Sequence, residues 1–360
     1  MKVAFYTPPA SQRTGGLDLA IDNLYRQLQT DECTVSLDPL DPAAFDLVHF
    51  HGLWQPRFRS LAKRCLASSV PYVVSPHGML EPWAWQHRWW KKWPYYFFFE
   101  SGFLAHAAGL LATSEMEKNN LARFRSLPPV DVIPLGMTSD HGPNYPAARN
   151  QLGWTDDEFI LLFLSRIHPK KGLHVLLEAI RRLSLSEKKV RLIVVGDGPK
   201  DYLRKLRQFV HHHELRLPAV TFTGPVWGPD KWTFLQGADL FCLPTFSENF
   251  GLAILEACQV GTPVLTTVHT PWEIFLRDRG FPVVQPVVDQ LHGALAYFLN
   301  RGKVTSTVRG DLAEDIRRSF GLALVADRFR KYYCSRTIPR SATAGFVPGV
   351  TTPLGTRMAP

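Results

Sequence analysis

The sequence predicts an α/β protein made of two doubly wound parallel-sheet domains facing a cleft. Three observations carry this. The chain has 360 residues, roughly two domains' worth at about 150 residues each. Short apolar, β-branched runs alternate with helically spaced segments, the pattern of βαβ units. The alternation stops in a polar stretch, Ser139 to Glu158, that contains Pro143, Pro146 and Gly153, and then restarts.

In chain order, Lys2–Tyr6 reads as the first strand, and the Gly15-Gly16 turn opens a helix from Leu17 to Leu28. Strands follow at Leu47–Phe50, Tyr72–Ser75, Gly109–Thr113 and Val130–Pro134. After the polar stretch, Phe159–Ser165 is a strand, and Leu173, Leu176, Leu177, Ile180 and Leu183 then recur at helical spacing. Arg191–Val195 is the next strand, closed by Gly196-Asp197-Gly198-Pro199 before a helix reaching about Leu215. Val220–Thr223, Leu240–Leu243 and Val264–Thr266 complete the series. The expected limits are 1–150 for an N-terminal Rossmann-like domain and 151–315 for a second one. A terminal helix is expected over 316–334, and 335–360 reads as a disordered tail because Pro, Gly, Ser and Thr replace any helical period. Two such domains place a ligand in the cleft at the carboxyl ends of their strands.

Composition narrows the function classes. Hydrophobic residues at 45% and charged residues at 20% exclude wholesale disorder. Cys33, Cys65, Cys242, Cys258 and Cys334 are scattered, odd in number and lack a C-x-x-C pair, so neither a disulfide framework nor a thiolate zinc site is expected. The opening residues are too short and proline-broken for a signal peptide. The uncharged run Ala257 to Trp272 contains Gly261, Pro263 and Pro271 and does not read as a spanning helix. A soluble cytoplasmic protein is the expectation.

The formal charge of +9 is local. Between Arg57 and Lys92 lie Arg57, Arg59, Lys63, Arg64, Arg88, Lys91 and Lys92 against one acid, Glu81. The end of the chain adds Arg336, Arg340 and Arg357 without an acid. The same early region holds Trp83, Trp85, Trp89, Trp90 and Trp93, then Tyr95-Tyr96-Phe97-Phe98-Phe99. Three readings fit: a helix with core aromatics and a solvated cationic rim, a surface for an anionic membrane headgroup layer, or a stacking platform for single-stranded nucleic acid.

Four pieces carry chemistry. In Ser247-Glu248-Asn249-Phe250-Gly251-Leu252-Ala253-Ile254-Leu255-Glu256-Ala257 a loop leads into a helix near Gly251, offering backbone N–H groups to an anion. Glu256 is the sole formal charge between Asn249 and Trp272, and a buried carboxylate needs a partner, whether a ligand hydroxyl or a local backbone group. In Ser165-Arg166-Ile167-His168-Pro169-Lys170-Lys171-Gly172, a strand end places Arg166 at the cleft and Lys171 just before a helix. Two such cations can neutralise a diphosphate; taken singly, Lys170 and Lys171 read as surface cations. Gly196-Asp197-Gly198-Pro199 reads as scaffold. Ser75-Pro76-His77-Gly78 ends a strand of the first half and aims His77 at the cleft from the opposite wall. No D-x-D, H-x₃-H or H-E-x-x-H occurs, so no metal site is expected. His211-His212-His213 reads as a solvated helix end.

These pieces, in this order, resemble the family-4 retaining glycosyltransferases (glycosyl transferases group 1) of the GT-B fold, over about residues 1 to 334. The E-x₇-E pair Glu248 and Glu256, with the upstream S-R-x-x-x-x-K-G, is the most specific part. The resemblance implies that Arg166 and Lys171 hold the donor diphosphate, Glu248 the donor sugar hydroxyls and Glu256 the nucleotide ribose. It further implies that backbone N–H groups around Asn249, Phe250, Gly251 and Leu252 meet sugar and phosphate. Gly15 and Gly16 would form a first-domain loop facing the donor, and His77 would contact the sugar near its reacting carbon. The reaction implied moves a sugar from a UDP- or GDP-sugar to a saccharide or lipid-linked hydroxyl, with retention and without metal or cofactor, in cell-envelope or exopolysaccharide assembly. Ile133-Pro134-Leu135-Gly136-Met137 departs from the family's Pro-Asn-Gly-Val-Asp, Leu135 replacing the asparagine. The helix Arg318–Tyr333 resembles the family's last segment, which crosses back to the first domain. Rival readings are a GT-B-like sugar-nucleotide epimerase or phosphorylase, a silent sugar-nucleotide binder, and a nucleic-acid binder. The last leaves the E-x₇-E pair unexplained, so nucleic acid is not an expected partner. A dehydrogenase lacks its G-x-G-x-x-G after the first strand. For the basic aromatic surface the three readings stay open, with peripheral membrane contact through Arg57–Lys92 among them.

Overall fold

The computed structural model describes residues 1–9, 15–86, 89–138, 140–183 and 189–337, with all side chains among them except those at 15, 86 and 91. Two six-stranded, all-parallel sheets form the molecule. The first holds β1 (Lys2–Tyr6), β2 (Thr34–Leu37), β3 (Leu47–His51), β4 (Tyr72–Ser75), β5 (Gly109–Ala112) and β6 (Val130–Val132), in the order β2-β1-β3-β4-β5-β6. The second holds β7 (Glu158–Leu164), β8 (Lys189–Val195), β9 (Ala219–Gly224), β10 (Leu240–Leu243), β11 (Val264–Thr267) and β12 (Val283–Val284), in the order β12-β11-β10-β7-β8-β9. The central strands are buried on both faces and, apart from His49 and His51 of β3, largely apolar, as parallel sheets covered by crossover helices require. The strand order of the second sheet reverses between β7 and β10, and a crevice opens at such a point because the flanking helices leave in opposite directions.

Two edge strands, β2 and β12, are absent from the sequence-based reading; four and two residues are too few for a period to show. The expected helix Arg318–Tyr333 is corrected. Two helices, Ser306–Phe320 and Leu322–Arg336, meet at Gly321, whose extended ψ of 134° breaks the helix. Gly321 and Met137 form a β-bridge, with Met137 N–H donating to Phe320 O at 3.0 Å and Leu322 N–H to Met137 O at 2.9 Å, so the two connections between the sheets run side by side. The Leu322–Arg336 helix then covers the first sheet, where Val325, Phe329 and Tyr333 are buried with Val3, Phe5 and Leu111. Ser335 and Arg336 are thus helical rather than part of the tail; 338–360, with Arg340 and Arg357, lie outside the described residues, as do Arg88 and Ser139.

The reading of the tryptophan-rich stretch as core aromatics with a solvated rim is also corrected. It forms short helices Pro82–Gln86 and Trp89–Tyr95, a π-helical turn Tyr96–Glu100 and a helix Ser101–Ala105. Trp85 packs inward against Trp54, Tyr96 and Phe124, but Trp83, Trp89, Trp90, Trp93 and Phe97–Phe99 are exposed. Aromatic residues follow one another on every side of the run, so one helix face cannot bury them all.

Candidate functional site

The loops after β7 and β10 build one wall of a cavity of about 300 Å³ between the sheets. Tight glycine contacts hold them. Gly172 has φ +75°, and a Cβ there would lie 2.0 Å from the Pro244 carbonyl oxygen. Cβ atoms on Gly196 and Gly198 would lie 1.9 Å from the carbonyl oxygens of Ser165 and Ile167, so the turn after β8 clamps the Arg166 loop, aided by Ile167 N–H donating to Asp197 O at 2.7 Å. The Lys170 carbonyl accepts from Phe246 N–H at 2.8 Å and the Thr245 hydroxyl at 3.1 Å, joining the two loops.

This packing delivers Arg166, Lys170, Lys171 and Glu248 to the cavity together with Asn249, Phe250, Gly251 and Leu252. Lys171 Nζ is paired with Glu248 Oε1. Arg166 is exposed to the opening. The helix Leu252–Gln259 starts here after Gly251 (φ +80°), and its first-turn N–H groups have no intrahelical partners. Phe250 is held beneath by Trp272, whose indole N–H donates to the Phe250 carbonyl. Lys170, read from sequence as a surface cation, lines the cavity instead, and burial pulls its pKa below the usual lysine value.

Glu256 is not brought to the same cavity. It lies buried on the helix, bonded to Lys231 Nζ at 2.7 Å, and burial raises its pKa. Lys231, from the helix Pro229–Gly237, escaped the sequence reading because its partner is 25 positions away.

The opposite wall comes from the first sheet. Gly16 faces Leu252, a Cβ there falling 3.3 Å from Leu252 Cδ1; the neighbouring Gly15 opens the same helix, Gly15–Leu28. His77, after β4, adopts φ +50°, a left-handed conformation uncommon outside glycine. Its Nε2 lies 3.1 Å from His51 Nδ1, the rings stacked at 5.4 Å. Its Nδ1 is buried with no hydrogen-bond partner, and burial lowers its pKa to about 4. The next residue, Gly78, donates its N–H to Glu117 Oε1 at 2.6 Å. A Cβ on Gly78 would sit 2.6 Å from Asn249 Cβ, so glycine permits the two walls to touch. Asn249 is oriented by its partners, its amide nitrogen 3.2 Å from both Glu117 oxygens and its oxygen accepting from Thr113 Oγ1 at 3.0 Å. Its side chain therefore latches the walls together, leaving its backbone to the cavity.

Glu81 also lines the cavity and was not singled out from sequence, where it is merely the lone acid of a basic run. Its Oε2 accepts from Asn120 Nδ2 at 2.6 Å, its Oε1 is buried without a partner, and burial raises its pKa to about 7. Leu135, at the family's asparagine position, is buried in the core of the second half and also lines the cavity. Among the described residues no three His, Cys, Asp or Glu side chains gather as metal ligands.

The arrangement presents three cations and a helix start to an anion on one wall, and two polar groups with spare bonding capacity on the other. Two family models match the chain: "Glycosyltransferase Family 4" over residues 14–141 and "Glycosyl transferases group 1" over 144–314. The chain is similar to alpha-monoglucosyldiacylglycerol synthase of Streptococcus pneumoniae, 31% identical over 54% of this chain and 45% of that one. It is similar to phosphatidyl-myo-inositol mannosyltransferase of Mycobacterium leprae, 30% identical over 56% of this chain and 52% of that one. The chain thus spans about half the length of the curated relatives it matches. Its fold is that of Anabaena HepE, crystallised in complex with UDP, with a TM-score of 0.75 at 18% identity over 93% of this chain and 100% of that one.

Proposed function

Because the chain belongs to the family-4 glycosyltransferases of group 1, we propose that it moves a hexose from a UDP- or GDP-sugar to a hydroxyl of a saccharide or lipid-linked acceptor, with retention and without a metal ion. The observation that carries this is the convergence of Arg166, Lys170 and Lys171 with the start of the Leu252–Gln259 helix on one cavity. A leaving diphosphate accumulates negative charge as the C1–O bond breaks, and positioned cations and helix N–H groups lower the barrier by meeting that charge. Arg166 serves as a bidentate donor and Lys170 and Lys171 as point charges. Glu248, anchored by Lys171, accepts hydrogen bonds from donor sugar hydroxyls, and Glu256, anchored by Lys231, is assigned to the nucleotide ribose. The acceptor oxygen attacks C1 from the face the diphosphate leaves, forming the new C1–O bond and passing its proton to a donor phosphate oxygen. His77 Nδ1 is free to bond a sugar hydroxyl on that face.

Residues 1–150 then form the acceptor-side domain and 151–315 the donor-side domain, with 316–334 returning to the first. Relatives named as a monoglucosyldiacylglycerol synthase and a phosphatidyl-myo-inositol mannosyltransferase support a lipid acceptor, and with it a role in cell-envelope or exopolysaccharide assembly. No helix among the described residues is long and apolar enough to cross a membrane, so contact through the Arg57–Lys92 region is proposed as peripheral. A thermal-shift and donor-hydrolysis panel of UDP- and GDP-sugars, with and without EDTA, tests the assignment. One donor should stabilise the chain and release its nucleotide slowly and insensitively to EDTA. Stabilisation without release would indicate a silent binder, and loss of release in EDTA would remove the metal-independent reading.

A further inference from the structure

A second cavity, about 600 Å³ and separate from the donor cleft, lies between the helices Pro56–Ala67 and Ser101–Ala105. That volume lies within the range of roughly 300–1,000 Å³ of small-molecule sites. Its floor is apolar: Ala62, Leu66, Tyr72 and Phe103, with the Tyr72 hydroxyl already satisfied by the Phe103 carbonyl at 2.6 Å. Phe98 and Phe99 form one side and continue into the exposed ridge of Trp89, Trp90, Trp93 and Phe97. A contiguous exposed apolar patch of this kind marks an interaction surface.

The rim is cationic. Arg59 and Lys63, one helical turn apart, line the cavity, whereas their neighbours Arg57 and Arg64 are paired with Asp38 and Asp41. Among the described residues neither Arg59 nor Lys63 has an acid within salt-bridge distance. The Arg59 guanidinium lies 4.3 Å from the Phe99 ring centroid and 5.2 Å from that of Tyr95, and its buried Nη1 has no hydrogen-bond partner. Among the described residues the acid facing it is Glu100, whose carboxyl burial pushes up to about 7 and whose Oε1 is also buried without a hydrogen-bond partner. The remaining titratable neighbour, His106, bonds the Gly102 carbonyl at 2.7 Å. An apolar slot, a cationic rim of Arg59 and Lys63, and an aromatic ridge beside it match an amphiphile with an anionic head and a hydrocarbon tail. Single weak anchors bind membranes reversibly, and stable attachment takes at least two.

We propose that this groove takes one acyl chain of an anionic phospholipid, with the phosphate held between Arg59 and Lys63 while the Trp89–Phe99 ridge lies in the bilayer interface. The inference rests on the peripheral contact proposed for Arg57–Lys92 but not on the donor cleft, so its failure leaves the glycosyltransferase reading untouched. The test uses the full chain with vesicles of phosphatidylglycerol or phosphatidylcholine, and with lysophosphatidylglycerol below its micelle concentration. Phosphatidylglycerol vesicles should retain the chain at least about tenfold better, and the lysolipid should bind without displacement by inorganic phosphate. The double variant Arg59→Gln/Lys63→Gln should weaken vesicle binding by about 30-fold. Gly102→Leu provides a variant that keeps the fold: a Cβ at Gly102 meets nothing within 4 Å and projects into the groove. It should abolish lysolipid binding while leaving thermal unfolding and donor stabilisation unchanged. Equal retention by phosphatidylcholine, displacement by phosphate, unaltered lysolipid binding by Gly102→Leu, or a dimer through the ridge with no lipid binding would each overturn the proposal.

Discussion

On the wall built by the loops after β7 and β10, Lys171 is paired with Glu248, whereas on the opposite wall His77 Nδ1 and Glu81 Oε1 are buried without a hydrogen-bond partner. The first wall is ordered before any ligand arrives: Lys171 and Glu248 hold each other and glycine-tight loops fix the backbone that carries Arg166 and Lys170, the condition under which fixed charges stabilise a transition state most. The second wall keeps bonding capacity in reserve. An unmet buried polar group costs about 1–3 kcal/mol, a cost that a bound hydroxyl removes. The difference separates a wall whose cations are already placed from one that keeps hydrogen-bonding groups unmet.

Removing a charge from the ordered wall should do the most damage. Lys171→Ala is expected to lower kcat/KM for donor turnover by about 10²- to 10³-fold, with the circular dichroism spectrum unchanged; near-normal turnover would remove Lys171 from the diphosphate. Next comes the loop that carries it. Gly172→Ala meets both a positive φ and the Pro244 carbonyl, and should destabilise the chain by at least about 2 kcal/mol in urea unfolding. Gly102→Ala, in open space, should stay within about 1 kcal/mol of wild type. If both glycines tolerate alanine equally, the tightness of the first wall is not a constraint.

On the reserve wall, His77→Ala removes one hydrogen bond and should reduce turnover about tenfold, with thermal stability retained; a loss as large as that of Lys171→Ala would erase the contrast between the walls. The smallest effect is one of pH. Glu81 has its folded pKa raised from 4.5 to about 7, so the folded state holds a proton there that the unfolded chain releases first. Its contribution is complete below pH 4.5 and is lost as pH rises through 7. Glu81→Gln should therefore flatten the decline of stability over that window relative to wild type, measured by denaturant midpoints at stepped pH. Comparing the two chains cancels the similar contribution of Glu100, also raised to about 7.

Much of the fold is legible because buried parallel strands are written as contiguous apolar runs such as Phe159–Leu164 and Leu240–Leu243. The edge strands Thr34–Leu37 and Val283–Val284 are not, being short and only partly buried. In the site, Arg166, Lys171, Glu248, His77 and the glycines could be found because strand-end loops followed by helices announce themselves locally. Lys170 and Glu81 could not, since nothing in their neighbours says which way a charged side chain turns. The aromatic stretch from Trp83 to Phe99 shows the same limit: composition reveals an apolar segment, and only packing reveals that Trp85 faces inward while Trp89, Trp90 and Trp93 face out.

By itself, then, the sequence determined two doubly wound domains, the loops at their switch points and the kinds of charge those loops carry, because each is encoded within a few consecutive residues. Only the tertiary structure decided that Glu248 faces the cavity while Glu256 turns to Lys231, that Leu135 belongs to the second core, and that the last helix buries Tyr333 beside His49, 284 positions away. Those outcomes depend on burial and pairing between distant segments, and such terms take their values only when the chain has closed on itself.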